Sequence, residues 1–196
     1  MDDASGIKVV GIANNGEELN SLLAEAQEVN VLIMDVSVPS SSTNENPIPI
    51  LHYVPRILQK KPNINILIVS THSQLSLVKA LEHAGVSGYI FKHDSDSIRR
   101  LPAIIKTISA GGRYFYEELE EAKKKENTLP LGLTTRQLEI LTFCASYPDL
   151  STEQLALQMG IASSTIRNLL SETYIRLKVH SKAAAISRAK TLGLIP

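Results

Sequence analysis

A chain of 196 residues with 43% hydrophobic side chains has room for one large domain or two small ones, each with a core of useful size. Its 20 basic and 20 acidic residues cancel, but unevenly: residues 1–110 hold 9 basic and 11 acidic side chains, and residues 134–196 hold 7 and 4, so the back of the chain is the part suited to a polyanion. The single cysteine, Cys144, excludes an intramolecular disulfide and a cysteine-based zinc site and fits a reducing cytoplasm; no apolar run approaches the roughly 18 residues of a membrane span, and the acidic start is unlike a signal peptide.

Residues 7–12 (IKVVGI) are β-branched and apolar and predict a short buried strand. Residues 15–28 follow with helical spacing, Leu19, Leu22, Leu23 and Ala26 sharing a face. A second strand is predicted over 30–35 (NVLIMD), and a Ser-, Asn- and Pro-rich loop over 37–48. Residues 49–60 read as a helix that must accommodate Pro55. A third strand over 64–70 leads to a helix over 73–84, with Ser73 as a candidate N-cap and Gly85 as its stop. A fourth strand over 87–91 and a helix over 95–110 complete the alternation. Strands alternating with helices predict βαβ units and a parallel sheet with helices on both faces. The mixed-charge stretch 113–132 reads as a linker.

From residue 134 the strand pattern stops, and four helices are predicted over about 134–146, 152–159, 163–178 and 182–193. Thr134 or Thr135 can cap the first, and Ser151 with Gln154 makes a capping box for the second. Gly160 can end the second helix in a left-handed turn, and Ser163 or Ser164 can cap the third. Two turns of helix, a tight glycine-containing turn and a longer helix form the helix-turn-helix layout. Ile166, Leu169, Leu170, Tyr174 and Leu177 of the third helix can face a core, while Ser163, Ser164, Thr165, Arg167, Asn168 and Ser171 make a polar start. Short hydroxyls there can contact phosphates, and Arg167 and Asn168 can reach guanine and adenine edges.

The stretches LTTRQLEIL, STEQLALQMGIASSTIRN, IRLKVHSKAAAI and LGLI resemble the LuxR-type helix-turn-helix over residues 133–195. That resemblance implies double-stranded DNA as a partner, a homodimer, and a dimer contact through the last helix, where Ala184, Ala185, Ser187, Arg188 and Ala189 are read as small enough for close helix approach. Leu169 stands where the family usually has His, and Lys182 where it usually has Arg; these departures leave the expected fold and DNA binding intact, and no family consensus target is carried over to this chain.

VLIMDVSVP, ILIVSTH, GVSGYIFK and ISAGGRYF resemble the receiver domain of NarL/FixJ-type response regulators over about 7–116. Asp35, Ser70 and Lys92 each close a strand, where ligand sites of open α/β sheets lie. The resemblance makes Asp35 the phosphoacceptor and Ser70 and Lys92 its supports, Tyr89 the aromatic that changes rotamer, and a histidine kinase a partner. A receiver, however, begins with a strand ending in an acidic pair that holds Mg²⁺. The chain here starts at the second strand, and Asp2 and Asp3 follow no strand. Truncation, direct pairing of the flanking strands, or an element supplied by a partner are the alternatives. The expectation is a flavodoxin-like, N-terminally incomplete or degenerate receiver with no cofactor, Mg²⁺ entering only with an acidic pair upstream, and weak or no phosphorylation at Asp35.

The expected organisation is therefore a receiver-like α/β domain over 1–112, a linker over 113–132 and an all-α four-helix domain over 133–196, in a cytoplasmic two-component transcription regulator. A module that sequesters a partner regulator without binding DNA is the alternative. An enzyme is not expected, because His52, His72, His83, His93 and His180 show neither nucleophile nor metal-ligand spacing.

Overall fold

A computed structural model describes residues 6–25, 28–115 and 130–196. The front half alternates helix and strand: α1 (Gly16–Glu25), β1 (Val31–Met34), α2 (Ile50–Lys60), β2 (Asn65–Ser70), α3 (Leu75–Ala84), β3 (Gly88–Phe91), α4 (Ser95–Arg99), α5 (Leu101–Ser109) and β4 (Tyr114–Phe115). The four strands form one sheet in the order β1-β2-β3-β4, and every pairing is parallel.

Alternation along the strands assigns the two faces of the sheet. Met34, Ile66, Ile68 and Tyr89 point to one side and join Ile50, Val54, Leu77 and Leu81 of α2 and α3 in the main core. Leu67 and Ile90 point to the other side, where Ile104 and Ile108 of α5 cover them. The expected parallel sheet with helices on both faces is therefore present, although the second face is covered more thinly.

Local departures from the sequence reading have physical causes. Residues 7–12 form no strand, because among the described residues no neighbouring backbone pairs with them. The helix expected over 95–110 is two helices broken at Arg100, since Pro102 near the start of α5 cannot donate a backbone hydrogen bond to the turn before it. Ser73 does not cap α3; Gln74 holds the N-cap position without a side-chain bond. Gly85 ends α3 in the left-handed conformation, as its lack of a Cβ permits. Tyr114 and Phe115, within the stretch read as linker, add a short edge strand beside β3. Residues 116–129, most of that stretch, lie outside the described residues.

The back half is helical: α6 (Thr135–Ser146), α7 (Thr152–Met159), α8 (Ser163–Leu177) and α9 (Lys182–Thr191). Reciprocal capping boxes open α6, through Thr134 and Gln137, and α7, through Ser151 and Gln154. Gly160 ends α7 in the left-handed conformation. Ile140, Phe143, Cys144, Leu155, Ala156, Met159, Ile166 and Leu170 make a core of their own. Helix α6 is buried on both sides: Leu138, Leu141 and Ala145 belong to the main core shared with α2 and α3. The side chain of His52 on α2 meets Glu139 on α6, and the loop residue Asn44 donates from Nδ2 to the Ser146 carbonyl at 3.1 Å.

Candidate nucleic-acid interface and receiver-like site

The polar start of α8 is exposed as the sequence suggests. Ser164, Thr165, Arg167, Asn168 and Ser171 face solvent, and Ser163 is half-buried at the turn. Ile166 and Leu170, with the buried Thr173 and Leu177, hold the opposite face on the helical core. Leu169 is half-buried and packs against that core, so the residue at the family's His position serves packing.

Neither Ser163 nor Ser164 caps α8. Ala162 occupies the N-cap position, and no side chain accepts a hydrogen bond there. The first N–H groups of α8 therefore have no side-chain acceptor, and with the helix dipole they form a site suited to an anion such as a phosphate oxygen. Arg167 lies 3.5 Å from Glu153 of α7, and both side chains are largely exposed, so this ion pair is a weak and exchangeable restraint.

Lys182 performs a task that the sequence reading left open. Its Nζ donates to the carbonyls of Pro148 at 2.6 Å and Leu150 at 2.9 Å, which fixes the α6–α7 connection against the start of α9. Gln137 is also structural: buried, it donates from Nε2 to Glu172 of α8 at 3.0 Å and accepts from the Thr134 backbone. The small residues expected to line a dimer contact on α9 divide between two faces. Ala185 and Ala189 are fully buried in the chain's own core, whereas Ser187 and Arg188 are exposed. Ala185 and Ala189 are thus unavailable to a second copy, because α6 and α8 already take their face.

At the carboxyl ends of the strands the fold brings Asp35, Ser70 and Lys92 together. Lys92 Nζ donates to Asp35 Oδ2 at 2.7 Å. Partial burial by itself would raise the Asp35 pKa. Hydrogen bonds from Lys92, Ser70 and the Ser37 backbone, with the Lys92 charge, outweigh it and hold the carboxyl below its ordinary value. Ser70 is fully buried, its Oγ 3.2 Å from His72 Nδ1 and accepting from the His72 backbone at 3.3 Å. Tyr89 is buried pointing inward, its hydroxyl donating to the His72 carbonyl at 2.7 Å, and burial pushes its pKa well up. His72, which the motif reading passed over, therefore links the Ser70 hydroxyl to the Tyr89 hydroxyl.

Among the described residues no three His, Cys, Asp or Glu side chains gather into a group that could hold a metal ion, and the Asp35 carboxylate accepts from the Lys92 ammonium. Asp2 and Asp3 lie outside the described residues. The 37–48 loop does not extend freely over the site: Pro39 bridges Pro47, Ser40 bonds to the Asn46 carbonyl, and Asn44 reaches α6.

Residues 131–189 match the family described as bacterial regulatory proteins, luxR family. Over nearly its full length the chain is similar to the transcriptional regulatory protein DesR of Bacillus subtilis, at 28% identity across 95% of this chain and 85% of that protein. It is also similar to the response regulator UvrY of Escherichia coli, at 23% identity across 99% and 87%. Among solved structures, RcsB from Salmonella enterica serovar Typhimurium, bound to promoter rprA in the presence of phosphomimetic BeF3−, aligns with a TM-score of 0.63 at 14% identity, covering 93% of this chain and 85% of that one. At that identity the likeness is one of fold. A parallel α/β sheet with Asp35, Ser70 and Lys92 at its carboxyl end thus precedes four helices within which residues 131–189 match the luxR family, and over nearly its full length the chain is similar to proteins named as transcriptional and response regulators.

Proposed function

We propose that this protein is a sequence-specific DNA-binding transcription regulator that acts without catalysis. Helix α8 enters the major groove, Arg167 and Asn168 read base edges, and Ser163, Ser164, Thr165 and Ser171 engage the backbone. The observation that carries this reading is the exposed, uncapped polar start of α8 on a buried apolar back. The relatives are named as transcriptional regulators and response regulators, and RcsB is described bound to promoter DNA, which supports the same reading. The working form is a homodimer in the cytoplasm, and no helix among the described residues is long and apolar enough to cross a membrane.

The receiver-like half works as a docked regulatory domain with little or no phosphorylation at Asp35. The support for this reading is that, among the described residues, no three His, Cys, Asp or Glu side chains gather to hold a metal ion, and that the Asp35 carboxylate is bonded to the Lys92 ammonium at 2.7 Å.

The test is selection of bound sequences from a random duplex pool, then binding of the selected site by fluorescence anisotropy across a salt series. The logarithm of the binding constant is expected to fall with log salt by about 0.9 for each phosphate neutralised. Arg167→Ala is expected to lose about 1–3 kcal/mol on the selected site and to relax one base position. No enrichment and no salt-dependent binding would leave the sequestration of a partner regulator as the function. Stoichiometric Mg²⁺-dependent phosphorylation at Asp35, seen by intact mass, would overturn the second part.

A further inference from the structure

Two strand-forming segments lack a partner. Strand β1 pairs with β2 on one side, and among the described residues nothing pairs with its other edge. Residues 7–12, β-branched and patterned as a strand, make no backbone hydrogen bond among the described residues. Both also leave apolar side chains exposed. Val9, Val10 and Ile12 are 58%, 55% and 77% exposed, and Ile33 is 41% exposed although the corresponding positions of β2 and β3 are buried or nearly so. Strands of a parallel sheet are ordinarily covered on both faces.

Natural edges are protected by charge, proline, a bulge or a covering element. Residues 31–34 (VLIM) carry no charge and no proline, and residues 7–12 carry one lysine, Lys8. Lys8 shares a face with Val10 and Ile12, so a strand formed there has one mixed face and one apolar face.

In one copy these segments remain apart. The chain after residue 12 is pinned where Asn15 and Gly16 are buried: Gly16 donates its N–H to the Pro39 carbonyl at 2.9 Å, and its own carbonyl accepts from the Tyr53 hydroxyl at 2.9 Å. We propose that the open edge of β1 is a docking surface for a second copy of this chain, residues 7–12 of each copy adding as a strand to β1 of the other. A two-fold dimer satisfies both unpaired edges twice with one contact, which is the self-complementary arrangement of an isologous interface. It covers the open edge beside Ile33, with Val10 and Ile12 on one face of the added strand and Val9 on the other. This surface is separate from α8, and Ala185 and Ala189 of α9 take no part in it.

The test uses the full chain. Sedimentation across a concentration series is expected to show a monomer–dimer equilibrium that Val10→Pro and Ile33→Lys each weaken by on the order of tenfold or more. Both positions are exposed, and an unchanged circular dichroism spectrum checks the fold. Cys144 is buried and its thiol pKa is pushed up to about 11, so introduced cysteines report alone. Val10→Cys chains mixed with Ile33→Cys chains under mild oxidation are expected to form a disulfide joining one of each. A monomer at every concentration, a dimer unchanged by both edge substitutions, or no mixed disulfide in a population shown to be dimeric would each overturn the pairing. None of these readouts uses DNA, so the pairing stands or falls apart from the DNA-binding reading.

Discussion

His52 of α2 and Glu139 of α6 meet where the two halves join, Nδ1 to Oε1 at 3.0 Å, with both side chains only 12% exposed. The Phe143 ring stands edge-on to the imidazole at 5.1 Å and 84°, and Arg136 makes a second ion pair to the same carboxylate. A polar link at the margin of a continuous apolar core holds the register of the packing more than it adds energy. His52→Ala leaves Glu139 with Arg136 and removes a hydrogen bond to a charged group, an expected loss of about 2 kcal/mol in urea unfolding. A loss near zero would mean that the apolar contacts alone dock the halves.

Gly193 tests the same junction from the other side. Its φ is +63°, and a Cβ there would fall on the Gln74 side chain at the start of α3. Gly193→Ala is expected to cost about 1–3 kcal/mol, from the left-handed backbone and the displaced Gln74. Urea unfolding reads the loss, with an unchanged far-ultraviolet spectrum as the check on the native fold; no loss would show that Gln74 gives way freely.

Lys182 is expected to be structural. Lys182→Met keeps the stem and removes two charge-assisted bonds to the Pro148 and Leu150 carbonyls, a loss of about 2–3 kcal/mol. Lys182→Arg should recover part of it. If DNA affinity fell for Lys182→Met with thermal stability unchanged, the lysine would belong to the DNA contact instead.

The Asp35 carboxyl titrates below its ordinary value, so the sign of its pH effect is fixed. A depressed folded-state pKa stabilises the protein above the unfolded value of Asp, and that stability is lost as pH falls through the folded value. The advantage of the native protein over Asp35→Asn is therefore expected at neutral pH and should vanish in acid. Lys92→Met should move the Asp35 carboxyl resonance to a higher titration midpoint in carbon-detected NMR; an unmoved midpoint would remove Lys92 as a cause.

Helix capping gives an internal scale. Ser151→Ala removes the acceptor for the Gln154 N–H and should cost about 1 kcal/mol. Ser163→Ala should cost much less, because Ser163 caps nothing in α8; an equal cost for both by thermal unfolding would contradict the uncapped start.

Much of the fold was legible because its signals are local. Gly85 and Gly160 mark helix ends since a left-handed turn needs no Cβ. Ser151 with Gln154 carries its own bonding partners within four residues. Asp35, Ser70 and Lys92 were legible as a set, each closing a strand of a parallel sheet whose register aligns those ends. His72 was not, because its part depends on the buried Ser70 and Tyr89 hydroxyls turning toward it across neighbouring strands.

The amino-acid sequence by itself determined the alternation of strand and helix, the switch to an all-helical back half and the polar start of α8, since periodicity and caps act within a few residues. The tertiary structure decided what those elements face. Residues 7–12 have strand chemistry but no strand, because a ladder needs a second backbone. Ala185 and Ala189 have the size of an interface but lie in the core, because α6 and α8 reach them first. Glu139 lies on a helix that reads as an ordinary amphipathic one, and only the docking of α2 makes it the counterpart of His52.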